Sequence, residues 1–226
     1  MPGSAILAYN NGLLDWSWVD SHTDQIRSAL VQHIQLVAEP MLFGMLIAFP
    51  LAVLATRKRR TLGPVLGFTG ALYTIPSLAA FAALQPYFGL STTTVLIPLT
   101  AYTLLILVRN TVTGLDNVPE EVLEASDGMG MSRTRRLFLV EVPLATPTIF
   151  AGVRIATVTL IGLVPITAQF ALGGLGSLMR DGFQIDFNTP ITVGVVLTLV
   201  LAVVVDVMLL GVQKLITPWT RKAVRS

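Results

Sequence analysis

Long apolar stretches separated by short polar or basic segments make up most of the chain after residue 34. The first covers about residues 35–56 and ends at the basic run 57–60, and residues 61–108 then contain no charged side chain. One helix across that second stretch would be about 72 Å long, whereas the hydrocarbon core of a bilayer is about 30 Å thick. We therefore predict two spans there, separated by the turn-forming and aromatic cluster at residues 85–89.

The complete pattern predicts an all-α, polytopic membrane protein with five transmembrane helices. These helices form a transmembrane domain at residues 34–215, between an N-terminal segment at 1–33 and a tail at 216–226. The longest polar insertion, residues 110–142, separates the third and fourth spans. The predicted spans lie at about residues 35–56, 61–84, 92–109, 147–172 and 189–213.

The composition supports a membrane protein and excludes several other classes. Of the 226 residues, 53% are hydrophobic and 12% are charged, with a mean hydropathy of +0.73. A soluble protein of this length cannot bury so much apolar surface. The chain has no Cys, two His and a net charge of +2, which argues against thiolate chemistry, a metal centre or a nucleic-acid surface. Phosphate-loop, zinc-protease and serine-hydrolase motifs are also absent, so we predict no catalytic residue and no cofactor.

The basic residues predict the orientation in a bacterial inner (plasma) membrane. Twelve of the fifteen lie on one side of the predicted bundle, in or next to the basic run, the 110–142 insertion and the tail. Because cytoplasmic segments carry the excess of Lys and Arg, we expect the N-terminus outside and the C-terminus in the cytoplasm. The N-terminal segment carries Trp16 and Trp18, which fit either a membrane-interface anchor or a disordered tail.

Proline and small residues inside the spans bear on helix packing. Interior prolines favour helices packed around a cavity, where neighbours satisfy the freed carbonyl groups. Small residues at four-residue spacing let helix backbones approach closely, and packing within the bundle is the simpler interpretation. The prolines are Pro50, Pro76, Pro98 and Pro165, and the small-residue stripes are Gly44–Ala48–Ala52 and Gly63–Gly67–Ala71.

The 110–142 insertion contains the clearest local signals. Asn117 and Pro119 predict the start of a helix, with Glu120 completing a capping box. This helix should end near Gly128 or Gly130, because glycine accepts the left-handed geometry of a helix end.

A second short helix is predicted to follow in the same insertion. Ser132 is its expected cap, and the helix should end before Pro143. A short helix between glycine-marked turns on the cytoplasmic side can dock a partner protein. A solvated amphipathic loop is the alternative.

Residues of this insertion resemble a known family. Glu124-Ala125-Ser126, Gly130 after three more residues and Val140-x-Val142-Pro143 after a further nine look like the "EAA" loop of ABC-importer permeases, with Ser126 in place of the second Ala. Four other segments are similar to the permeases of osmoprotectant importers, which handle glycine betaine, choline, carnitine and related quaternary amines. These segments are residues 75–79, 108–115, 128–132 and 173–176, and the resemblance covers about residues 40–210.

The resemblance implies a MetI-like permease fold and a subunit of an ATP-binding-cassette importer. Two permease subunits, identical or paired with a sister chain, would enclose the path for a compatible solute. Two cytoplasmic ATPase subunits would receive the loop helices, and an extracytoplasmic solute-binding protein would deliver the solute. The residues implied in contact with the ATPase are Leu123, Glu124, Ala125, Ser126, Gly130, Met131 and Ser132.

Other candidate residues lie inside the predicted spans. Arg154 and Asp206 have opposite charges at similar depth, which predicts an intramembrane ion pair; a substrate or proton site is the alternative. Aromatic rings can attract a quaternary ammonium group through cation–π interaction, although they also serve as packing residues. The candidate path residues are Tyr73, Pro76, Tyr102, Pro165 and Gln169.

Other functions fit parts of the pattern. A permease for another small solute, such as an amino acid, would have the same architecture. A gradient-driven transporter or channel would need no ATPase, and an internal repeat would favour it; none is clear in the sequence. A purely structural membrane subunit would leave the EAA-like loop unexplained.

Overall fold

The computed structural model describes residues 13–170 and 172–221, and within these ranges the chain is helical without strands. The all-α prediction is confirmed. The helices, in chain order, are α1 Trp16–Ser21, α2 Thr23–Arg57, α3 Leu62–Thr74, α4 Ser77–Phe88, α5 Thr92–Asp116, α6 Glu120–Gly128, α7 Arg133–Arg136, α8 Val142–Leu163, α9 Leu175–Gln184 and α10 Asn188–Ile216. A π-helical turn, Leu137–Glu141, joins α7 to α8, and a 3-10 segment, Val164–Phe170, follows α8.

Four helical stretches in the described residues are long and apolar enough to cross a membrane, and α3 with α4 makes a fifth if that bent pair counts as one span. The four are α2, α5, the continuous stretch Arg133–Phe170 and α10. Several helices are longer than the predicted spans. The helix α2 has 35 residues, about 52 Å at 1.5 Å per residue, so it extends well past a hydrocarbon core of about 30 Å.

The chain bends by 89° between α3 and α4, where the sequence predicted an uninterrupted span. Pro76 lies at this break and not inside a helix. Proline has no N–H to donate and disfavours helical geometry in the residue before it, and Ile75 is extended, with φ −67° and ψ 126°. The Tyr102 hydroxyl donates to the freed Ile75 carbonyl at 2.6 Å. Pro165 likewise lies in the 3-10 segment, whereas Pro50 and Pro98 lie inside α2 and α5.

The helix α5 lies at the centre of the bundle, packed between α2, α3 and α8. The first small-residue stripe makes the α2–α5 contact close: Ala48 and Ala52 are 1% and 0% exposed, and Gly44 faces Thr103 with no room for a Cβ. Packing within the bundle is therefore right for this stripe. It is wrong for the second stripe, because Gly63 and Gly67 are exposed and have no neighbouring atom where a Cβ would lie.

A second apolar cluster closes the end of the bundle near the N-terminus. Trp18 packs against Phe187 and stacks on His22, with ring centroids 6.1 and 4.3 Å away. The Asp15 N–H donates to the Thr189 hydroxyl at 2.9 Å. From Leu14 onward the N-terminal segment thus contacts the bundle, and a disordered tail is wrong for this part. Residues 1–12 lie outside the described part of the chain.

Two local predictions for the 110–142 insertion are wrong. Asn117 ends α5 and does not cap α6, whose N-cap residue is Pro119 without a side-chain cap. The second short helix does not stop before Pro143, because the π-helical turn carries it into α8, where Pro143 occupies the first turn. The Val142 N–H donates to the Leu137 carbonyl, five residues back, so the stretch stays helical up to the proline, which itself has no N–H to donate.

Candidate functional site

The end of α6 has a regular glycine-based stop. The Gly130 N–H donates to the Asp127 carbonyl at 2.9 Å and the Met131 N–H to the Ser126 carbonyl at 3.2 Å, the two hydrogen bonds of a Schellman motif. Gly130 has φ +73°, a left-handed geometry that costs a residue with a side chain about 1–2 kcal/mol. The prediction that glycine ends this helix is confirmed.

The structure places most of the implied ATPase contacts on an open surface. Glu124, Ala125, Gly130 and Ser132 are exposed, and Leu123 and Met131 are half-buried. Ser126 is only 2% exposed, and its hydroxyl donates back to the Val122 carbonyl at 2.7 Å. Ser126 therefore lies on the inner face of α6 and is not part of the exposed surface. Met129, which the sequence did not single out, is 69% exposed at the tip of the helix.

The segment after α6 begins as the sequence predicted. The Ser132 hydroxyl accepts the Arg135 N–H at 3.4 Å and so caps α7. Leu137, at the start of the π-helical turn, is 8% exposed and packs with Leu115 and Ala145. This small apolar cluster fixes the base of the segment against α5 and α8.

Four charged residues form an ion cluster beneath α6: Arg57, Asp127, Arg136 and Glu141. The Arg57 and Arg136 guanidinium groups both donate to Oε1 of Glu141, at 2.7 and 2.9 Å. Arg136 also pairs with Asp127. Glu141 is 5% exposed, and a carboxylate at that burial is tolerated because it is paired.

A second ion pair lies at the other base of the insertion. Arg59 forms a bidentate pair with Asp116, at 2.7 and 3.0 Å. This hydrogen bonding to the carboxylate raises the pKa of the Arg59 guanidinium above its usual value. The side chains are 61% and 30% exposed, so the pair is largely in water, where such pairs contribute little to stability.

At the opposite end of the bundle, α2 holds the glycine-rich segment that precedes α9. The Gln32 side-chain oxygen accepts the Gly174 N–H at 3.1 Å, and His33 Nδ1 accepts the Leu175 N–H at 3.3 Å. His33 Nε2 then donates to the Ile161 carbonyl at 3.2 Å. Both ring nitrogens are used, which fixes a neutral imidazole in one tautomer. His33 is fully buried.

The candidate path residues fall into two groups beside α4. Tyr73 and Tyr102 meet edge to face, with centroids 6.1 Å apart, next to Pro76. Tyr102 is 5% exposed and its hydroxyl is already bonded, so it is a packing residue, whereas Tyr73 is 41% exposed. Pro165 and Gln169 lie in the 3-10 segment, whose Phe170 packs against Phe81 of α4 at 5.5 Å.

The structure brings Arg154 and Asp206 together. Two hydrogen bonds join the guanidinium to both carboxylate oxygens, Nε to Oδ1 at 2.9 Å and a terminal nitrogen to Oδ2 at 2.8 Å. Their side chains are 24% and 36% exposed, at one wall of a surface groove between α8 and α10. The pair thus connects two of the candidate spans.

The sequence analysis missed the residues that hold the two ends of the bundle in place. Glu141 was passed over as the variable position of the EAA-like pattern, although a lone carboxylate inside the apolar run 137–144 was a signal. His33 and Gln32 gave no signal, because their partners are backbone groups far along the chain. Among residues 13–170 and 172–221, no group of three or more His, Cys, Asp or Glu could hold a metal ion.

Comparison with known proteins identifies the family. Residues 41–222 match the family described as "Binding-protein-dependent transport system inner membrane component". The chain belongs to this family. It is therefore a multi-pass membrane protein of a binding-protein-dependent transport system.

Curated relatives cover most of the chain. The osmoprotectant import permease protein OsmW of Salmonella typhimurium is 37% identical over 198 residues, 85% of this chain and 92% of that protein. The choline transport system permease protein OpuBB of Bacillus subtilis is 34% identical and covers 83% of this chain and 86% of its own length. The carnitine transport permease protein OpuCD of Listeria monocytogenes is 38% identical, with coverage of 84% and 86%.

A solved structure shows the same fold. An inward-facing structure of the MetNI methionine ABC transporter matches with a TM-score of 0.74, over 85% of this chain and 96% of the matched chain. The sequences are 20% identical. The expected MetI-like fold is confirmed.

Proposed function

We propose that this chain is the permease subunit of an ATP-binding-cassette importer and forms half of the path for a quaternary-amine compatible solute, such as glycine betaine, choline or carnitine. The observation that carries the proposal is the exposed helix α6, ended by Gly130, in a chain of the binding-protein-dependent transport family. The choice of solute rests on the osmoprotectant, choline and carnitine permeases at 34–38% identity.

In this proposal the ATPase binds α6 and moves it. A cytoplasmic ATPase subunit holds the surface of Glu124, Ala125 and Met129 in a groove, and a second permease subunit, identical or a sister, presents the same element to the second ATPase. ATP binding closes the ATPase pair and displaces both α6 helices. The bundles then open to the outside, where a solute-binding protein delivers the solute. This chain hydrolyses no ATP itself.

The first test concerns docking. Gly130→Ala strains the end of α6 by about 1–2 kcal/mol, a factor of about 5–30 in an equilibrium. We expect several-fold less ATPase to co-purify with this variant, and less solute uptake in the same cells. Gly128→Ala is the matched control: both glycines have open space for a Cβ, but only Gly130 has a positive φ.

Glu124 tests the charge of the same surface. Glu124→Lys should release the ATPase more completely than Glu124→Gln, which keeps the shape and removes only the charge. Glu124 is exposed and lies outside the apolar core, so both variants should insert into the membrane normally. Full ATPase binding and full uptake in Gly130→Ala and Glu124→Lys together would contradict the proposal.

Orientation is tested by labelling single cysteines in this Cys-free chain. We propose that Leu13 and Tyr87, which are 77% and 81% exposed, face the outside, and that Met129 faces the cytoplasm. A membrane-impermeant thiol reagent applied to intact cells should then label L13C and Y87C but not M129C. The opposite labelling pattern would place α6 outside, where no ATPase can reach it.

The solute and the energy source are tested in proteoliposomes that contain the assembled complex. In these vesicles the lumen takes the place of the cytoplasm. ATP enclosed in the lumen should drive uptake of glycine betaine, choline or carnitine when the binding protein is present outside. Uptake of an amino acid instead would change the solute and leave the mechanism standing. Uptake driven by an ion gradient without ATP would support a secondary transporter and contradict the proposal.

A further inference from the structure

We propose that the ion cluster of Arg57, Asp127, Arg136 and Glu141 fixes α6 to the cytoplasmic end of α2, so that displacement of α6 by the ATPase is transmitted to α2. This inference rests on the proposed function, because it takes α6 as the ATPase-docking element. The four residues are positioning residues: none of them contacts the solute or ATP.

The cluster connects four successive elements through side chains. Asp127 lies on α6, Arg136 on α7, Glu141 at the end of the π-helical turn and Arg57 at the end of α2. Three ion pairs join them in series, Asp127 to Arg136, Arg136 to Glu141 and Glu141 to Arg57. Each step crosses from one element to another, so the series leads from α6 to a candidate span. π-Helical turns occur frequently at functional sites.

The side chains cross a gap that the backbone does not fill. A groove of about 600 Å³ lies between the end of α2 and the α6–α7 segment. Val53 and Thr56 of α2 form one wall, and Asp127 and Thr134 are on the other. Val53 also packs against the apolar cluster that contains Leu137, and this cluster anchors the π-helical turn but includes no residue of α6. The ion pairs therefore supply the connection between α6 and α2 across the groove.

The charges of the cluster are balanced, and their burial increases toward Glu141. Two guanidinium groups face two carboxylates, so the sum is zero. The side chains of Asp127, Arg57, Arg136 and Glu141 are 58%, 32%, 12% and 7% exposed. Glu141 holds both arginines through one oxygen, so neutralising it leaves two guanidinium groups without this partner. The cluster should thus act as a unit, and single changes in it should not be additive.

The chain supplies a matched control in the exposed pair Arg59–Asp116. It also joins the polypeptide after α2 to the 110–142 insertion, with similar distances, but at the other base of the insertion. It does not connect to α6. A variant there removes one carboxylate charge, as Glu141→Gln does, without interrupting the proposed series.

The decisive experiment compares Glu141→Gln with Asp116→Asn in the assembled transporter in proteoliposomes. For Glu141→Gln we expect the ATPase to co-purify normally and to hydrolyse ATP. The number of solute molecules transported per ATP should fall at least about fivefold, which is the lower end of the typical range of coupling between two sites. Asp116→Asn should keep the wild-type ratio. A purely structural role for Glu141 would instead lower complex yield and leave the ratio of the surviving complexes unchanged, which would overturn the inference.

A distance measurement keeps the inference testable if Glu141→Gln does not assemble. Spin labels at K58C and E120C report the separation of the α2 end and α6, with labelled permease diluted into unlabelled permease. We expect one narrow distance distribution that is the same with and without ATP. Asp127→Asn, a change at the most exposed member, should broaden it. A separation that changes with ATP, or one that Asp127→Asn leaves narrow, would overturn the inference.

The two proposals fail in different ways. If Gly130→Ala and Glu124→Lys both keep the ATPase bound and uptake intact, the docking function of α6 fails and the inference fails with it. If they release the ATPase while Glu141→Gln keeps the wild-type ratio of solute to ATP, the docking function stands and only the role of the ion cluster is lost.

Discussion

The two ends of the bundle hold their connecting segments by different chemistry. At one end, α2 holds the glycine-rich segment before α9 with the neutral groups of Gln32 and His33, which accept backbone N–H groups. At the other end, the same helix holds the α6–α7 segment with the charge of Arg57, through Glu141. One helix thus anchors both segments, with neutral hydrogen bonds at one end and ion pairs at the other.

The difference follows from what surrounds each anchor. His33 is fully buried, and a neutral imidazole avoids the large cost of placing a charge away from water. Arg57 and Asp127 are partly exposed, so water and opposite charges share the cost of the ionised groups. The contrast predicts a rigid glycine-rich segment at one end and, at the other end, a charged connection through which displacement of α6 reaches α2.

The largest expected effect tests the rigidity of the glycine-rich segment. A Cβ at Gly176 would overlap the backbone carbonyl of Pro165, and backbone atoms cannot move aside as a flexible side chain can. Gly176→Val should therefore cost more than about 4 kcal/mol, at the upper end for single substitutions, and remove folded protein from size-exclusion profiles. Gly211→Val is the control, because a Cβ there has open space. A well-folded G176V protein would show that this end is pliable.

The second prediction asks whether an ion pair also holds two of the candidate spans together. The bidentate pair Arg154–Asp206 connects α8 to α10 within the apolar stretches. Arg154→Gln or Asp206→Asn should each leave one charge without its partner among apolar side chains and lower the unfolding temperature measured in detergent. Exchange of the two residues, R154D with D206R, should restore part of the loss. An exchange no better than the single changes would show that the two residues act separately.

The third prediction concerns the neutral anchor. His33→Leu leaves the Leu175 N–H and the Ile161 carbonyl without their partner, and we expect a loss of about 1–3 kcal/mol. Thermal unfolding in detergent measures it. Because every group involved is neutral, the loss should be the same at low and high salt. A loss that shrinks with salt would mean that the imidazole is charged and would remove the contrast between the two ends.

The smallest effect is expected at the exposed ion pair. Arg59→Gln should lower the unfolding temperature only slightly, as for solvent-exposed pairs, and this small loss should fall as salt screens the charges. Unfolding temperatures at two salt concentrations measure both statements. A large, salt-independent loss would show that Arg59 has a structural role like that of Arg57, and the pair would no longer serve as the control for the ion cluster.

The sequence alone was sufficient for the fold class, the Gly130 stop and the Ser132 cap, and its five predicted spans agree with the four to five candidate spans among the described residues. Each of these depends on local information: apolar length against bilayer thickness, or the geometry that one residue type allows. The EAA-like pattern led to the family for the same reason, since its residues lie within one short segment. The Arg154–Asp206 pair could be expected because charged residues inside apolar helices need a partner.

Only the tertiary structure decided which of the similar-looking features pack and which stay exposed. The two small-residue stripes have the same spacing, yet one is buried against α5 and the other is open, because burial depends on where α3 and α5 lie relative to α2. Ser126 and Glu124 are two residues apart, and helical rotation places only Glu124 on the exposed face. The anchors Gln32 and His33 and the ion pair of Arg57 with Glu141 join residues far apart in the chain. Spacing along the sequence carries no record of such contacts, so they were decided by packing.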